Sequence, residues 1–511
     1  MSWDEMQERA DETPPRSQVR QFVASIVIAT STALALGVTL KSPTQFGPND
    51  ISRWCTVWSL LERGTYAIDE CPWQDKTQDK VLKPDKLATP DKTSSALSRF
   101  EYALAPYSWK TGDSVDRFYS SKPPLLPTLM AGILYPFRVA TGVPLDKVVE
   151  QKRLPRWVEK EVSAKPRRVE KVLETPKEPV KWPVYVFYFK PLVVLLNVVP
   201  LWLGLVLYAR LLDRYAPNDW AWILSLTAAG FGTLLLAFDQ TLNNHTIAAW
   251  SGLLTIYAFI RIWDEEARSI GWFIAAGLFG AFTACNELPA AVFGILLFAM
   301  LFFRFPRLTT LAFVPAAAIP CLAFLLTQYL AFGQFKPVYE EFGTKSYQYE
   351  GSYWNTPLEM DWFNLHPEPK GTYLFHMTLG HHGVFSLTPI FLFSLLGLFR
   401  SLISRERLRG LAWMTLILTV SLFTIYLFNP KARNYGGSTQ GLRWLFWLIP
   451  FWLVFLPRGV VGGEEKRWVR YLSLGALLFS VFSVGYAMRS PWSHPWILDM
   501  LEHLNLYSLK R

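Results

Sequence analysis

Apolar residues in this chain fall into long uninterrupted runs. They do not show the alternation of a half-buried strand or the one-sided stripe of a surface helix. The runs lie at about 21–40, 184–208, 219–237, 247–262, 270–285, 288–303, 308–330, 384–400, 411–428, 442–457 and 471–488. About 20 apolar residues in a helix cross the hydrocarbon core of a bilayer, so the pattern predicts an all-α polytopic membrane protein of about eleven transmembrane helices. Pro191, Pro200, Pro315 and Pro320 fall inside runs, which bundled membrane helices tolerate. The first run follows a polar stretch of mixed charge and ends without a small-residue cleavage site, so it reads as a first transmembrane helix, with no cleavable signal peptide.

A twelfth segment, 123–137, is apolar but short, and it opens with Pro123, Pro124 and Pro127. Lys and Arg decide between a span and a surface-lying helix. Arg210 and Arg214, Arg261 and Arg268, Arg304 and Arg307, Arg400 to Arg409, and Arg458 to Arg470 occupy every second connection, whereas 238–246 and 285–288 hold none. Basic loops face the cytoplasm. That alternation favours a re-entrant or surface-lying 123–137, with twelve spans as the alternative. The resulting division is a cytoplasmic tail 1–20, a first span 21–40, a large external loop 41–183 with juxtamembrane helices, a transmembrane core 184–330, an external loop 331–383, C-terminal spans 384–488 and an external tail 489–511. Within the first loop, 144–182 is rich in Lys, Arg, Glu and Pro and reads as a solvated or partly disordered insertion.

Composition agrees with a membrane protein. Of 511 residues, 51% are hydrophobic, 15% aromatic and only 18% charged, too little charge to cover a soluble protein of this size. The net charge of +10 sits in loops that face anionic lipid and does not point to nucleic acid. Cys55 and Cys71 share the first external loop. A disulfide between them and two free thiols are equally compatible with the sequence, and no metal-ligand spacing is present.

Few ionisable residues lie inside the runs, Lys190 being the clearest, so ion transport is poorly served. Polar residues concentrate in the external loops. Gly47 to Trp54 opens an amphipathic interfacial helix with Ile51, Trp54, Val57, Trp58 and Leu61 on one face and Gly64 at its end. Asp50 in it is either a helix cap or a functional acid. Asp116 to Pro124 brings Lys122 to the mouth of the short apolar segment, where a cation can neutralise a lipid phosphate or simply snorkel. Asp239, Asn243, Asn244 and His245 form a hairpin able to hold sugar hydroxyls or a cation, or to serve as ordinary turn residues. Asn434 to Trp444 combines Gly436, Gly437, Gly441 and Arg443 in a candidate phosphate cradle. The loop 331–383 carries Tyr347, Tyr349, Tyr353, Trp354, His376 and the Gly380-His381-His382-Gly383 run, a weak candidate for metal binding.

Taken in this order, the clusters resemble the GT-C glycosyltransferases, notably the bacterial aminoarabinose transferases of lipid A and the protein O-mannosyltransferases. The match is Asp50, Arg53, Trp54 and Gly64, then Lys122-Pro123-Pro124 on a juxtamembrane helix. In the next external loop Asp239 is the only acid, while Asn244 takes the place of the family's second acid. The resemblance implies a GT-C-like bundle at the plasma membrane that moves a sugar from a polyprenyl-phosphate donor to a lipid, glycan or protein acceptor at the outer, periplasmic face. It implies inversion, with Asp50 as general base. Arg53, Lys122, Asp239, Asn244, His245 and Arg443 are the expected donor- and substrate-binding residues. No cofactor is called for. A divalent cation is left open, with Asp50 and Asp239 as its candidate ligands. The competing classes are a transporter or flippase and a non-catalytic membrane subunit.

Overall fold

The computed structural model describes residues 17–44, 47–84, 97–98, 100–101, 115–151, 156–164, 167–174, 180–341, 344–352, 369–404, 407–428 and 435–507. It is mostly helical and polytopic. Among the described residues, eight helices are long and apolar enough to cross a membrane. They are α1 (Gln18–Lys41), α4 (Tyr185–Tyr215), α5 (Asp219–Phe238), α6 (His245–Trp263), α9 (Pro306–Phe332), α12 (Arg409–Phe428), α13 (Arg443–Gly463) and α14 (Arg467–Ala487). The remaining expected runs are shorter apolar helices, α7 (Ile270–Asn286), α8 (Leu288–Arg304) and α11 (Ile390–Ile403), the last preceded by a short α10 (Lys370–Thr378). Within α4 the residues Val194–Val198 take a π-helical turn, three residues beyond Pro191, whose ring cannot join the regular ladder.

Close packing without a hydrophobic driving force needs small residues where helices touch. Gly397 on α11 and Gly459 on α13 supply them. A Cβ on Gly397 would fall on the Phe455 carbonyl oxygen, and one on Gly459 would fall on that of Phe393. The bundle interior is aromatic, with Trp447, Phe451, Phe293 and Phe259 fully enclosed.

The basic connections gather at one end of the bundle. Glu265 holds both Arg214 and Arg261, Arg304 pairs with Glu266 at 2.6 Å, and Arg400 donates to the Arg458 carbonyl at 2.6 Å. Arg20 reaches Asp219 at the same end. The opposite end collects the connections without Lys or Arg, 238–246 and 285–288, together with the first loop.

That first loop leaves and re-enters the bundle at one level. Thr44 bonds to Tyr185 at 2.8 Å, joining the exit of α1 to the start of α4. Lys190 donates to the Thr39 carbonyl at 2.6 Å, so this cation caps the C-terminal end of α1, where carbonyl oxygens carry partial negative charge. In between run α2 (Pro48–Glu62) and α3 (Leu125–Thr141). Arg138 makes a two-pronged bond to Glu62, each arm 2.7 Å, tying the last turn of α3 to the end of α2. The short apolar segment therefore packs along α2, with Tyr135, Phe137 and Val139 exposed on its outer side.

Two expectations need correction. Helix α2 is not half-exposed at an interface. Its apolar face is buried as expected, but so are Asp50, Ser52, Arg53, Thr56 and Ser59, because the loop after it and a two-stranded ladder cover the polar side. That ladder pairs β1 (Lys80–Pro84) antiparallel with β2 (Asp116–Ser120). The insertion 144–182 also has regular backbone. Strands β3 (Val148–Gln151) and β6 (Val180–Pro183) pair antiparallel, as do β4 (Arg156–Ala164) and β5 (Arg167–Glu174). Regular strands replace the partly disordered alternative, and the Trp157, Val158, Val169 and Val172 interleaved with its charge are residues that favour strands.

Candidate active site at the loop end of the bundle

Helix α2 starts with Gly47 as N-cap and Pro48 in its first turn, a position where a missing N–H costs nothing. Asp50 lies one turn in, and it is not a conventional cap. Its Oδ1 accepts from the Leu242 amide at 2.8 Å and its Oδ2 from the Trp492 indole at 2.9 Å. The carboxyl is fully buried. Burial pushes its pKa up to about 7, against the opposing pull of Arg53, Trp492 and the Leu242 and Gly47 amides. The Arg53 charge pulls the other way but does not prevail. Desolvation wins because the side chain has no contact with water.

Arg53 sits one turn along. It donates to the Leu242 carbonyl at 3.2 Å and to the Asn244 side-chain oxygen. Burial lowers its pKa to about 10, offset by Asp50, with Arg443 adding repulsion. Arg53 therefore stays charged at neutral pH. Asn244 in turn donates to the Asn286 carbonyl at 2.8 Å and to Glu287 Oε1 at 2.7 Å. His245 presents Nδ1 to the same Glu287 oxygen, and its Nε2 faces Arg443 Nη1 at 3.4 Å. Arginine has only donors and Glu287 is an acceptor. His245 is therefore protonated on Nδ1, with the Nε2 lone pair turned into the site.

Arg443 enters from the glycine-rich turn. Tyr435, Gly436, Gly437 and Gly441 all have positive φ, and Arg443 Nε donates to the Gly436 carbonyl at 3.1 Å. A Cβ on Gly436 would press on Arg443 Nε at 3.3 Å, and its φ of +92° disfavours any side chain. The guanidinium stacks over Trp492 at 4.9 Å. The segment bearing Trp492 is pinned across the site, because Gln440 bonds to the Pro491 and His494 carbonyls and to Ser493.

Lys122 follows β2. It pairs with Asp79 at 3.2 Å, and Asp79 is held by Ser52 of α2 and the Ser121 amide through its carbonyl. Burial lowers the Lys122 pKa to about 8; Asp79 counters this, while Arg53 and Arg443 reinforce it. Three cations thus converge on one buried volume close enough to perturb one another, with Asp50, Asp79 and Glu287 around them.

Of the expected residues, Asp50, Arg53, Lys122, Asn244, His245 and Arg443 come together. Asp239 does not. Its carboxyl is buried without a well-formed hydrogen bond, facing Trp250. Burial drives its pKa well above the usual carboxylate range, and no charged group acts on it. Asp50 and Asp239 therefore form no joint metal site, and among the described residues no group of three or more His, Cys, Asp or Glu is arranged to hold a metal ion.

His381 and His382 instead pack against each other, His376, His494 and Tyr435. Burial and the neighbouring imidazoles push His381 down to about 3. Tyr353, Trp354 and Asn434 lie outside the described residues.

Three members of the cluster were missed. Glu287 had the only usable signal, an acid in a very short connection between two apolar runs. Asp79 was one charge among many in a polar loop, and Trp492 one tryptophan among 22.

Beside the cluster lies an apolar groove of about 380 Å³, lined by Leu126, Met130 and Ile133 of α3, Leu195 and Leu203 of α4, and Trp250 and Leu254 of α6. Leu195, Leu203 and Leu254 are exposed, so it opens on the outer, apolar side of the helices. A second apolar cavity of about 560 Å³ shares Ile133 and Leu195 and continues along α3 to Phe137 and Phe187. No protein-family model matches the chain, and no curated protein matches it.

Proposed function

We propose that this chain is a GT-C-type membrane glycosyltransferase that moves a sugar from a polyprenyl-phosphate donor to an acceptor on the outer face of the plasma membrane. In this reading eleven helices span, α3 does not, the N-terminus is cytoplasmic and the C-terminus external. The observation that carries the reading is the meeting of Arg53, Lys122 and Arg443 beside a buried carboxyl, Asp50, with an apolar groove whose lining includes Leu126 and Ile247, close in the chain to Lys122 and His245. Three clustered cations at one end do not suit transport of a cation. An anionic lipid head group with a long apolar tail fits both halves of the site, since fixed positive charge in a low-dielectric setting holds phosphate strongly.

In the transfer, the acceptor hydroxyl gives its proton to the Asp50 carboxylate as its oxygen attacks the anomeric carbon. The bond from that carbon to the phosphate oxygen breaks on the opposite side, so configuration inverts. Polyprenyl phosphate leaves with its charge held by Lys122, Arg53 and Arg443. A base with a pKa near 7 suits this step at neutral pH better than a surface aspartate would. Trp492 covers Asp50, so the acceptor reaches the carboxylate only after this indole moves aside. One geometry favours a second candidate for the base: His245, anchored on Nδ1 by Glu287 with Nε2 facing the cations.

Purified protein incubated with radiolabelled polyprenyl-phosphate sugars should release polyprenyl phosphate. Absence of turnover with the total lipid-linked sugar pool of the native membrane would count against the assignment and favour a non-catalytic subunit.

A further inference from the structure

Cys55 lies on α2, two residues beyond Arg53, and is fully buried; Cys71 lies in the loop that follows and is 3% exposed. The two sulfur atoms approach to 2.7 Å. That is nearer than separate thiols settle and not far above the roughly 2.05 Å of a disulfide bond. The Cys71 loop is itself fastened to β2. The Cys71 amide bonds to the Ile68 carbonyl at 3.0 Å and the Ile68 amide to the Phe118 carbonyl at 2.8 Å. The loop then runs on to Asp79, the partner of Lys122. A covalent link at this point would join the helix bearing Asp50 and Arg53 to the segment that positions Lys122.

We propose that Cys55 and Cys71 form a structural disulfide that clamps α2 against the loop carrying Asp79. The proposal rests on the outer-face reading of the first loop, because disulfides persist in oxidising compartments and are rare in the cytosol. The chemistry is thiol–disulfide exchange with an oxidised protein dithiol, the co-reactant. One cysteine loses its proton and its thiolate attacks the partner's disulfide, forming a mixed disulfide and freeing one partner thiol. The second cysteine, deprotonated in turn, displaces the partner's remaining sulfur. The Cys55–Cys71 bond forms, two electrons pass to the partner, and the partner leaves as a dithiol. Exchange must precede burial of the pair, so it belongs to folding rather than to the working enzyme. Burial also pushes the Cys55 thiol up, which leaves any unoxidised pair unreactive in the folded protein.

Cys285 and Cys321 provide an internal reference. They face each other, Cys285 at the end of α7, but Cys321 lies in the interior of the α9 span, out of reach of a soluble exchange partner, so that pair stays reduced. The test uses the full chain in native membranes, quenched in acid and denatured. Free thiols are blocked with one alkylating reagent, disulfides are then reduced, and the newly freed thiols are blocked with an isotopically heavier form. Peptide mass spectrometry should find Cys55 and Cys71 carrying the heavy label and Cys285 and Cys321 the light one. Without reduction, the Cys55 and Cys71 peptides should run as one linked species. In Cys71→Ser, Cys55 should switch to the light label. Light label on both Cys55 and Cys71 in the wild type overturns the proposal, as does heavy label on Cys55 in Cys71→Ser, which would mean another partner. Labelling of Lys160→Cys from outside the cell tests the topology separately. External labelling there with Cys55 and Cys71 reduced sinks the disulfide while leaving the glycosyltransferase reading standing.

Discussion

Replacing Asp50 by Asn tests the centre of the site through two independent readouts. Both oxygens of the wild-type carboxylate accept hydrogen bonds, from Leu242 at 2.8 Å and from Trp492 at 2.9 Å. Asn offers one acceptor and one donor group, so one of those two donors loses its partner. Protonated Asp50 has the same defect, which makes Asn a close mimic of the neutral acid. Burial raises the pKa of the acid from 3.8 to about 7. The unfolded chain therefore gives up this proton at lower pH than the folded protein does. The stabilising contribution is full below about pH 4, declines as pH rises, and is lost above about pH 7.

At 1.36 kcal/mol per unit, the full decline is roughly 4 kcal/mol, of which roughly 3 kcal/mol falls between pH 5 and pH 8. Asn does not titrate, so Asp50→Asn should escape that decline. Unfolding of the purified protein in detergent should show the variant gaining on the wild type as pH goes from 5 to 8. Turnover should fall by at least about 100-fold while donor binding persists. The same stability difference at pH 5 and pH 8 would refute the buried-carboxyl account. Near-normal turnover would move the base to His245.

Arg443→Ala and Lys122→Ala should each weaken binding of a polyprenyl-phosphate donor, measured by equilibrium binding, by at least about 10-fold, because each removes a charge-assisted contact in a buried site; unchanged affinity in both removes the phosphate assignment. Trp492→Phe keeps the ring stacked on Arg443 but removes the indole donor that favours ionised Asp50, so the acid limb of the kcat/KM profile should move to higher pH. An unmoved limb would mean that the indole does not tune the base. Glu287→Gln should lower turnover by at least about 10-fold with little change in unfolding midpoint, since it strips His245 of its charged anchor; a normal rate leaves His245 and Glu287 without a catalytic part. Gly459→Ala puts a methyl group on the Phe393 carbonyl and should destabilise by about 1–3 kcal/mol or more, read as a drop in unfolding midpoint; an unchanged midpoint would show that α11 and α13 separate freely.

The membrane architecture was legible in the chain because hydrocarbon imposes a one-dimensional rule: a span must be apolar along its whole length. All eleven expected runs coincide with helices, eight of them long enough to cross. The alternation of basic connections was equally local, and the folded chain gathers those connections at one end. The cluster at the other end was only partly legible. Asp50, Arg53, Lys122 and Arg443 stood out as charged residues beside apolar runs, where few charges are found. Their partners were hidden because nothing in sequence spacing links Asp50 to Trp492, 442 residues away, or Asn244 and His245 to Glu287.

Asp239 misled because an acid in the right loop says nothing about which way it faces. Its complete burial raises its pKa, and its carboxyl faces Trp250, apart from the cluster. The raised pKa of Asp50 belongs to the tertiary structure for the same reason. Arg53, three residues away in the chain, argues for a depressed value, and only the enclosure of α2 by the loop after it, the β1–β2 ladder and Trp492 removes the water that would have kept it low.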